Sequence, residues 1–304
     1  MRAVDFGSLE AVKVLVERGA GLEVRREGAG KEGGKRALHI ACREGKPAIA
    51  EFLVCSGTEL EAATDIGVTP LYYAAQAGLT GLVRILLKRS VDVHAKTTDD
   101  RQTSIFAAIK NGNMDMVELL LDHGAMVNER TEFQESPLFY TAFPFNYIPR
   151  DHREIAELLI SRGAEIDARD VYGQTVLHVA ARNGALGVLE ALLANGANIH
   201  TIANSGLSAL HCVAFLADSE EIEHGLYEKK LRIAELLVSR GIDVDALDEA
   251  GNTALGLVEH DQPADSPLLA FLWGLAPVQE EQEVKEDEEE EDAGEEEDLA
   301  LWLL

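Results

Sequence analysis

The chain has 304 residues, 46% of them apolar and 27% charged, and a formal net charge of −27. That is enough apolar material to bury a core, and it excludes a chain disordered throughout. Fourteen acids against one Lys lie in residues 280–304, and ten Lys and Arg against seven acids in residues 1–50, so residues 51–279 carry −17. An acidic body with an acidic end excludes a phosphate-dominated nucleic-acid binder and favours protein partners, basic ones included.

Taken in chain order, residues 1–6 read as the end of a helix, Gly7 as a turn and "SLEAVKVLVERGA" as a second helix. No polar residue covers the first apolar face, so a longer array or a partner is expected there. The start does not read as a secretory signal. The hairpin "VRREGAGKEGGKRA" follows. Its "GAGKEGGKR" fails as a phosphate loop: Ala29 stands where Gly is required and Arg36 where a hydroxyl is required, and a helix and turn precede it. Next, His39 and Cys42 are spaced as a metal pair. A zinc site needs about four ligands and no further cluster accompanies them, so no metal site is expected. Cys42, Cys55 and Cys212 form no CxxC pair, which argues for a reducing compartment.

The stretch "DVYGQTVLHVAARNGALGVLEALLANGANIH" (170–200) shows the unit from which the chain is built. Thr175 is placed to cap a helix, Leu177, Ala180 and Ala181 share one helical face, and Gly184 ends it. A second helix carries Val188, Leu189, Leu192 and Leu193, and Gly196 ends that one. Helices this short are marginal alone in water, so each unit must stack on its neighbours.

The same sentence recurs. Its leading apolar residue returns at Leu38, Leu71, Ile105, Leu138, Leu177, Leu210 and Leu255, at intervals of 33, 34, 33, 39, 33 and 45. The glycine closing the second helix returns at Gly19, Gly57, Gly124, Gly163, Gly196 and Gly241, with Ser90 in one unit. The fifth unit carries extra residues around "FPFNYIPRDH" and the seventh around "LADSEEIEHGLYEKK". The last unit departs most, as a terminal cap should. No run of about 18 apolar residues exists, so no membrane span is expected.

With "TPLYYAAQAG" (69–78), "SPLFYTA" (136–142), "TVLHVAARNG" (175–184) and "SALHCVA" (208–214), the chain resembles the ankyrin-repeat family. The resemblance implies an all-α solenoid of stacked helix-turn-helix units with projecting β-hairpin loops: about eight units over residues 1–278, the first truncated and the last a cap. Residues 279–304 are expected to be an acidic disordered tail. The resemblance also makes His39, His178 and His211 structural, bonding toward neighbouring turns.

By the same resemblance, partners meet the hairpin tips and the outward positions of the first helices on a concave face. Here these are Asp65, Ile66, Val68 and Gln76; Asp99, Asp100, Gln102 and Lys110; Phe133 and Glu135; and Val171, Tyr172, Gln174, Arg182 and Asn183. Phe133, Tyr140, Phe143, Phe145, Tyr147 and Tyr172 are six of the fifteen Phe and Tyr in the chain. Exposed aromatics mark contacts, although Pro144 and Pro149 could equally fold this loop onto its own unit. The candidate partner-binding residues are Phe133, Phe143, Phe145, Tyr147, Tyr172, Gln174, Arg182, Asp65, Ile66 and Asp100.

No nucleophile is grouped with His and Asp outside the repeat code. The expected role is a non-catalytic protein-interaction scaffold or adaptor in the cytoplasm or nucleus, with no cofactor, small-molecule substrate, nucleic acid or membrane. Two other readings stand beside it: a segment of a larger regulator or enzyme whose catalytic part lies upstream, and a tail-driven binder of basic nuclear proteins such as histones. An electrostatic contact between the acidic tail and the basic first fifty residues is also expected.

Overall fold

A computed structural model of the chain describes residues 1–28, 33–143, 151–215, 224–261 and 266–275. The described residues form eight successive helical pairs. Units 1 to 4 are α1 (Arg2–Asp5) with α2 (Leu9–Glu17), α3 (Ala37–Arg43) with α4 (Pro47–Cys55), α5 (Pro70–Gln76) with α6 (Thr80–Lys88), and α7 (Ser104–Lys110) with α8 (Met114–Asp122). Unit 5 pairs a 3₁₀ turn, Pro137–Thr141, with α9 (Arg153–Ser161). Units 6 to 8 are α10 (Val176–Asn183) with α11 (Leu186–Ala194), α12 (Ala209–Ala214) with α13 (His224–Ser239), and α14 (Ala254–Asp261) with α15 (Pro267–Trp273). The acidic segment 279–304 lies outside the described residues.

Local chemistry places these helices. Thr69, Thr103, Ser136, Thr175 and Ser208 hold extended backbone at the heads of the inner helices of units 3 to 7. The Thr69 hydroxyl accepts from Tyr72 N at 3.3 Å, satisfying one amide the helix itself cannot. Gly184 closes α10 at φ 70°, a left-handed conformation that glycine adopts without steric cost. Asp151 of unit 5 caps the neighbouring unit's α11, accepting from Gly187 N and Val188 N at 2.8 Å each. The helix of one unit is thus finished by the unit before it.

Packing follows the row. Inner helices pack on inner helices of the next unit, and outer on outer. Leu38, Leu71, Ile105, Leu138, Leu177 and Leu210 are each at most 2% exposed, in one continuous apolar core. Leu255 is only half-buried, and Ala254 and Val258 fill the core of the last unit instead. The extra residues of unit 7 do not all form a loop: "HGLYEKK" extends the outer helix, which reaches 16 residues against nine in α11.

Three histidines tie adjacent units together. The Nδ1 atoms of His39, His178 and His211 accept from Arg36 N, Thr175 N and Ser208 N at 3.0, 3.1 and 3.2 Å. Nε2 therefore carries the proton and donates to the next unit's backbone, to Ala62 O at 2.7 Å, Leu207 O at 3.2 Å and Asn252 O at 3.1 Å. With both nitrogens of His39 engaged, its role beside Cys42 is structural. Burial holds His39 and His178 down to about 4, since only the neutral ring fits this arrangement.

Candidate partner-binding face

The hairpins that join units stand in a row, each tip bonded to the next through one backbone bridge. Thr98 N donates to Ile66 O, Glu132 N to Asp100 O, Val171 N to Phe133 O and Asn204 N to Tyr172 O, all at 3.0 Å. Among the described residues these hairpins carry no strand, only an isolated antiparallel bridge between Ile202 and Ser208. Each hairpin also closes on itself, as where Asp170 N donates to Gln174 O at 3.0 Å and the Asp170 carboxylate accepts from Tyr172 N and Gln174 N. Burial raises the Asp170 carboxyl above the usual aspartate range.

The sequence-derived candidates separate on this face. Phe133 and Tyr172 occupy the same tip position in adjacent hairpins and are 46% and 59% exposed, with Val171 beside them at 46%. Asp65 is exposed and paired with Arg25, while Ile66 is half-buried against the core. Asp100 accepts from Thr97 Oγ1 at 3.0 Å and from the Gln102 amide; burial, then its bond to Asp99, raises its carboxyl. Phe143 is not a free ring: it packs edge-on against Tyr140 at 5.3 Å between centroids and tilted against Phe139 at 6.3 Å. Phe145 and Tyr147 lie outside the described residues. Asn183 reaches back one unit to donate to Ala142 O at 3.1 Å. Gln174 and Arg182 are half-buried and line one cavity together with Tyr172.

Between units 3 and 5 a polar chain crosses the face. The Tyr72 hydroxyl donates to Gln102 Oε1 at 3.2 Å, Lys110 Nζ donates to the same oxygen at 2.6 Å, and Gln102 Nε2 donates to the Tyr140 hydroxyl at 2.9 Å. That hydroxyl donates in turn to Glu135 Oε2 at 2.9 Å. Burial pushes both phenols and the Glu135 carboxyl up. Gln102 is 2% exposed, so it is a strut rather than a contact residue.

Some residues of this face were not singled out from the sequence. Arg101 and Gln134 adopt φ of 59° and 63° where the equivalent residues Gly67, Gly173 and Gly206 lie at 72–76°. The signal was available: both stand in a column otherwise filled by glycine. Lys230, 1% exposed, donates from Nζ to Val213 O at 3.1 Å and to Phe215 O, capping the end of α12. Burial pushes its pKa down to about 8. It sits in an insertion no repeat pattern describes, so nothing in the sequence pointed to it.

An array of short antiparallel helix pairs joined by tip-linked turns, with a side-chain-lined face running along it, defines an α-solenoid of the interaction-module class. The profile described as "Ankyrin repeats (3 copies)" matches residues 1–97, 91–170 and 147–248, and the chain belongs to the ankyrin-repeat family. It is similar to the B-cell lymphoma 3 protein homolog of Mus musculus (28% identity; 51% of this chain, 34% of that protein). It is also similar to the human ankyrin repeat and SOCS box protein 16 (29%; 69% and 46%) and to the human transient receptor potential cation channel subfamily A member 1 (25%; 69% and 22%). The chain spans less than half the length of each. Among solved structures, the human ASB11 ankyrin repeat domain superimposes with a TM-score of 0.59 at 26% identity, over 75% of this chain and 96% of that one.

Proposed function

We propose that this chain is a non-catalytic scaffold or adaptor, cytoplasmic or nuclear, that holds a protein partner against its hairpin tips and inner helices. The observation that carries this reading is the row of Phe133, Val171 and Tyr172. These are large side chains left 46–59% exposed on adjacent tips that the backbone has already locked together. Rigid aromatic side chains lose little entropy on binding and dominate interface energetics. Glu132 beside Phe133, with Asp99 and Asp100 on the preceding hairpin, favours encounter with a basic partner surface.

Photo-crosslinking in cells tests it. With p-benzoyl-phenylalanine at position 133 or 172, covalent capture of one discrete partner is expected, and Phe133→Ala with Tyr172→Ala should abolish co-purification while leaving the helical circular dichroism intact. The same probe at Glu118 on outer helix α8 should capture nothing. Capture at position 118 alone, or a double variant that retains its partner, rejects the reading.

A further inference from the structure

Two stretches of this face are built from the same positions, residue for residue, two units apart. Gln102, Lys110, Glu135, Tyr140 and Phe143 of units 4 and 5 correspond to Gln174, Arg182, Leu207, Cys212 and Phe215 of units 6 and 7. In units 4 and 5 the set is complete. Gln102 donates to the Tyr140 phenol, the phenol donates to Glu135, and Lys110 Nζ lies 5.1 Å from the centre of the phenol ring.

In units 6 and 7 the tyrosine is missing. Cys212 is short and fully buried, and Leu207 offers no carboxylate. The Arg182 guanidinium turns to the Phe215 ring instead, 5.2 Å from its centre. Gln174 Oε1 and Arg182 Nε are left buried with no hydrogen-bond partner among the described residues. Beside them lies a cavity of about 370 Å³ lined by Tyr172, Gln174, Arg182, Asn204, Ser205 and Leu207.

A buried donor and a buried acceptor without partners are costly, and this costliness specifies the missing group. One unfilled atom accepts and the other donates. A group that satisfies both must itself donate and accept, as a hydroxyl does. A carboxylate would serve Arg182 but face the Gln174 oxygen with a second acceptor. A purely apolar ring would fill the space and leave both atoms stranded. The exposed Tyr172 ring forms an aromatic wall against which another ring can pack.

We propose that this cavity takes a tyrosine side chain of a protein partner, Gln174 and Arg182 turning toward it so that its phenol donates to Gln174 Oε1 and accepts from Arg182 Nε. The partner would supply in trans what Tyr140 supplies from within the chain two units earlier. The proposal rests on the reading of this face as partner-binding and names the chemistry of one subsite on it.

The probe is the capped pentapeptide acetyl-Ala-Ala-Tyr-Ala-Ala-amide, titrated onto the full nitrogen-15-labelled chain while the Arg182 Nε–Hε resonance is followed by transverse-relaxation-optimised NMR. A saturable shift is expected, with counterparts carrying Phe or Glu at the centre at least about fivefold weaker, the size of one hydrogen bond. No shift, an equal response to the Phe peptide or a stronger one to the Glu peptide overturns the proposal; the last result would make the subsite one for acidic side chains. Cys212→Tyr should place an internal phenol there and abolish the response, and an unchanged response also overturns it. Should that variant fail to fold, Gln174→Leu should remove the preference for Tyr over Phe. A failure here leaves the crosslinking test at positions 133 and 172 untouched, so the two readings fall separately.

Discussion

Units 4–5 and units 6–7 present the same face of the same repeat, yet one is closed by its own side chains and the other is open. In the first pair Tyr140 connects Gln102 to Glu135, and none of these three side chains keeps a buried atom unmatched. In the second, Gln174 and Arg182 keep buried atoms unmatched beside a cavity. A repeat scaffold can therefore trade local stability for vacancy without altering its backbone. The largest expected effect follows from removing the closure. Tyr140→Ala should cost about 3–5 kcal/mol, because it both opens a cavity and takes a hydrogen bond from each of Gln102 and Glu135. Tyr140→Phe should cost about 1–3 kcal/mol for the lost hydrogen bonds alone. Gln174→Leu, at the open counterpart, should cost nothing and gain about 1 kcal/mol, since it removes a buried acceptor that has no partner among the described residues. Urea unfolding monitored by hydrogen exchange in each unit measures all three. Equal losses at positions 140 and 174 would break the comparison.

Acid should separate the two regions next. The units differ at the third residue of the inner helix: Phe106 and Phe139 in units 4 and 5, His178 and His211 in units 6 and 7. Burial holds His178 near 4 in the folded chain, against about 6.5 for a free histidine, and the same holds for His39 in unit 2. Between these values the unfolded chain binds the extra proton. The stabilisation is therefore full above about 6.5 and lost as pH falls toward 4, by about 3 kcal/mol for each ring. Around Asp100 and Glu135 the sign reverses, because burial raises those carboxyls and falling pH favours their folded form. Amide exchange at pH 4.5 should thus accelerate in units 2 and 6 before units 4 and 5. Uniform loosening would refute this ordering.

What could be read in the sequence divides along the same line. The helix heads at Thr69 and Thr175, the glycine stops and the leucine row are local and periodic, and each lies where spacing placed it. The prominence of Phe133 and Tyr172 at the tips followed from the same register. Contacts between units were less visible. Tyr140 and Phe143 belong to an aromatic-rich stretch that suggested an exposed patch, but they pack on each other and on Phe106 and Phe139. Gln102 looks like surface in the repeat pattern and is buried only because tyrosines of the units before and after it converge on its amide. Such closure depends on which residues a neighbouring unit happens to contribute, and a single-unit pattern does not carry that information.

Smaller effects than those of Tyr140→Ala or of the histidines are expected in the turn column, where the two regions also differ. Gly206 in the open region lies at φ 76°, and a Cβ there would come within 2.8 Å of Glu249 N, a backbone atom of the next hairpin that cannot swing aside. Gly206→Ala should therefore cost about 2 kcal/mol, combining the left-handed strain with that contact. Gln134, in the closed region, tolerates φ of 63° with a full side chain. Relieving it with Gln134→Gly should gain no more than about 1 kcal/mol, because the extra entropy of glycine in the unfolded chain offsets part of the strain removed. If thermal unfolding showed Gln134→Gly to be destabilising by that amount instead, the Gln134 side chain would have to be holding its hairpin in place. Units 4–5 would then owe their closure to the tip as well as to the Tyr140 phenol.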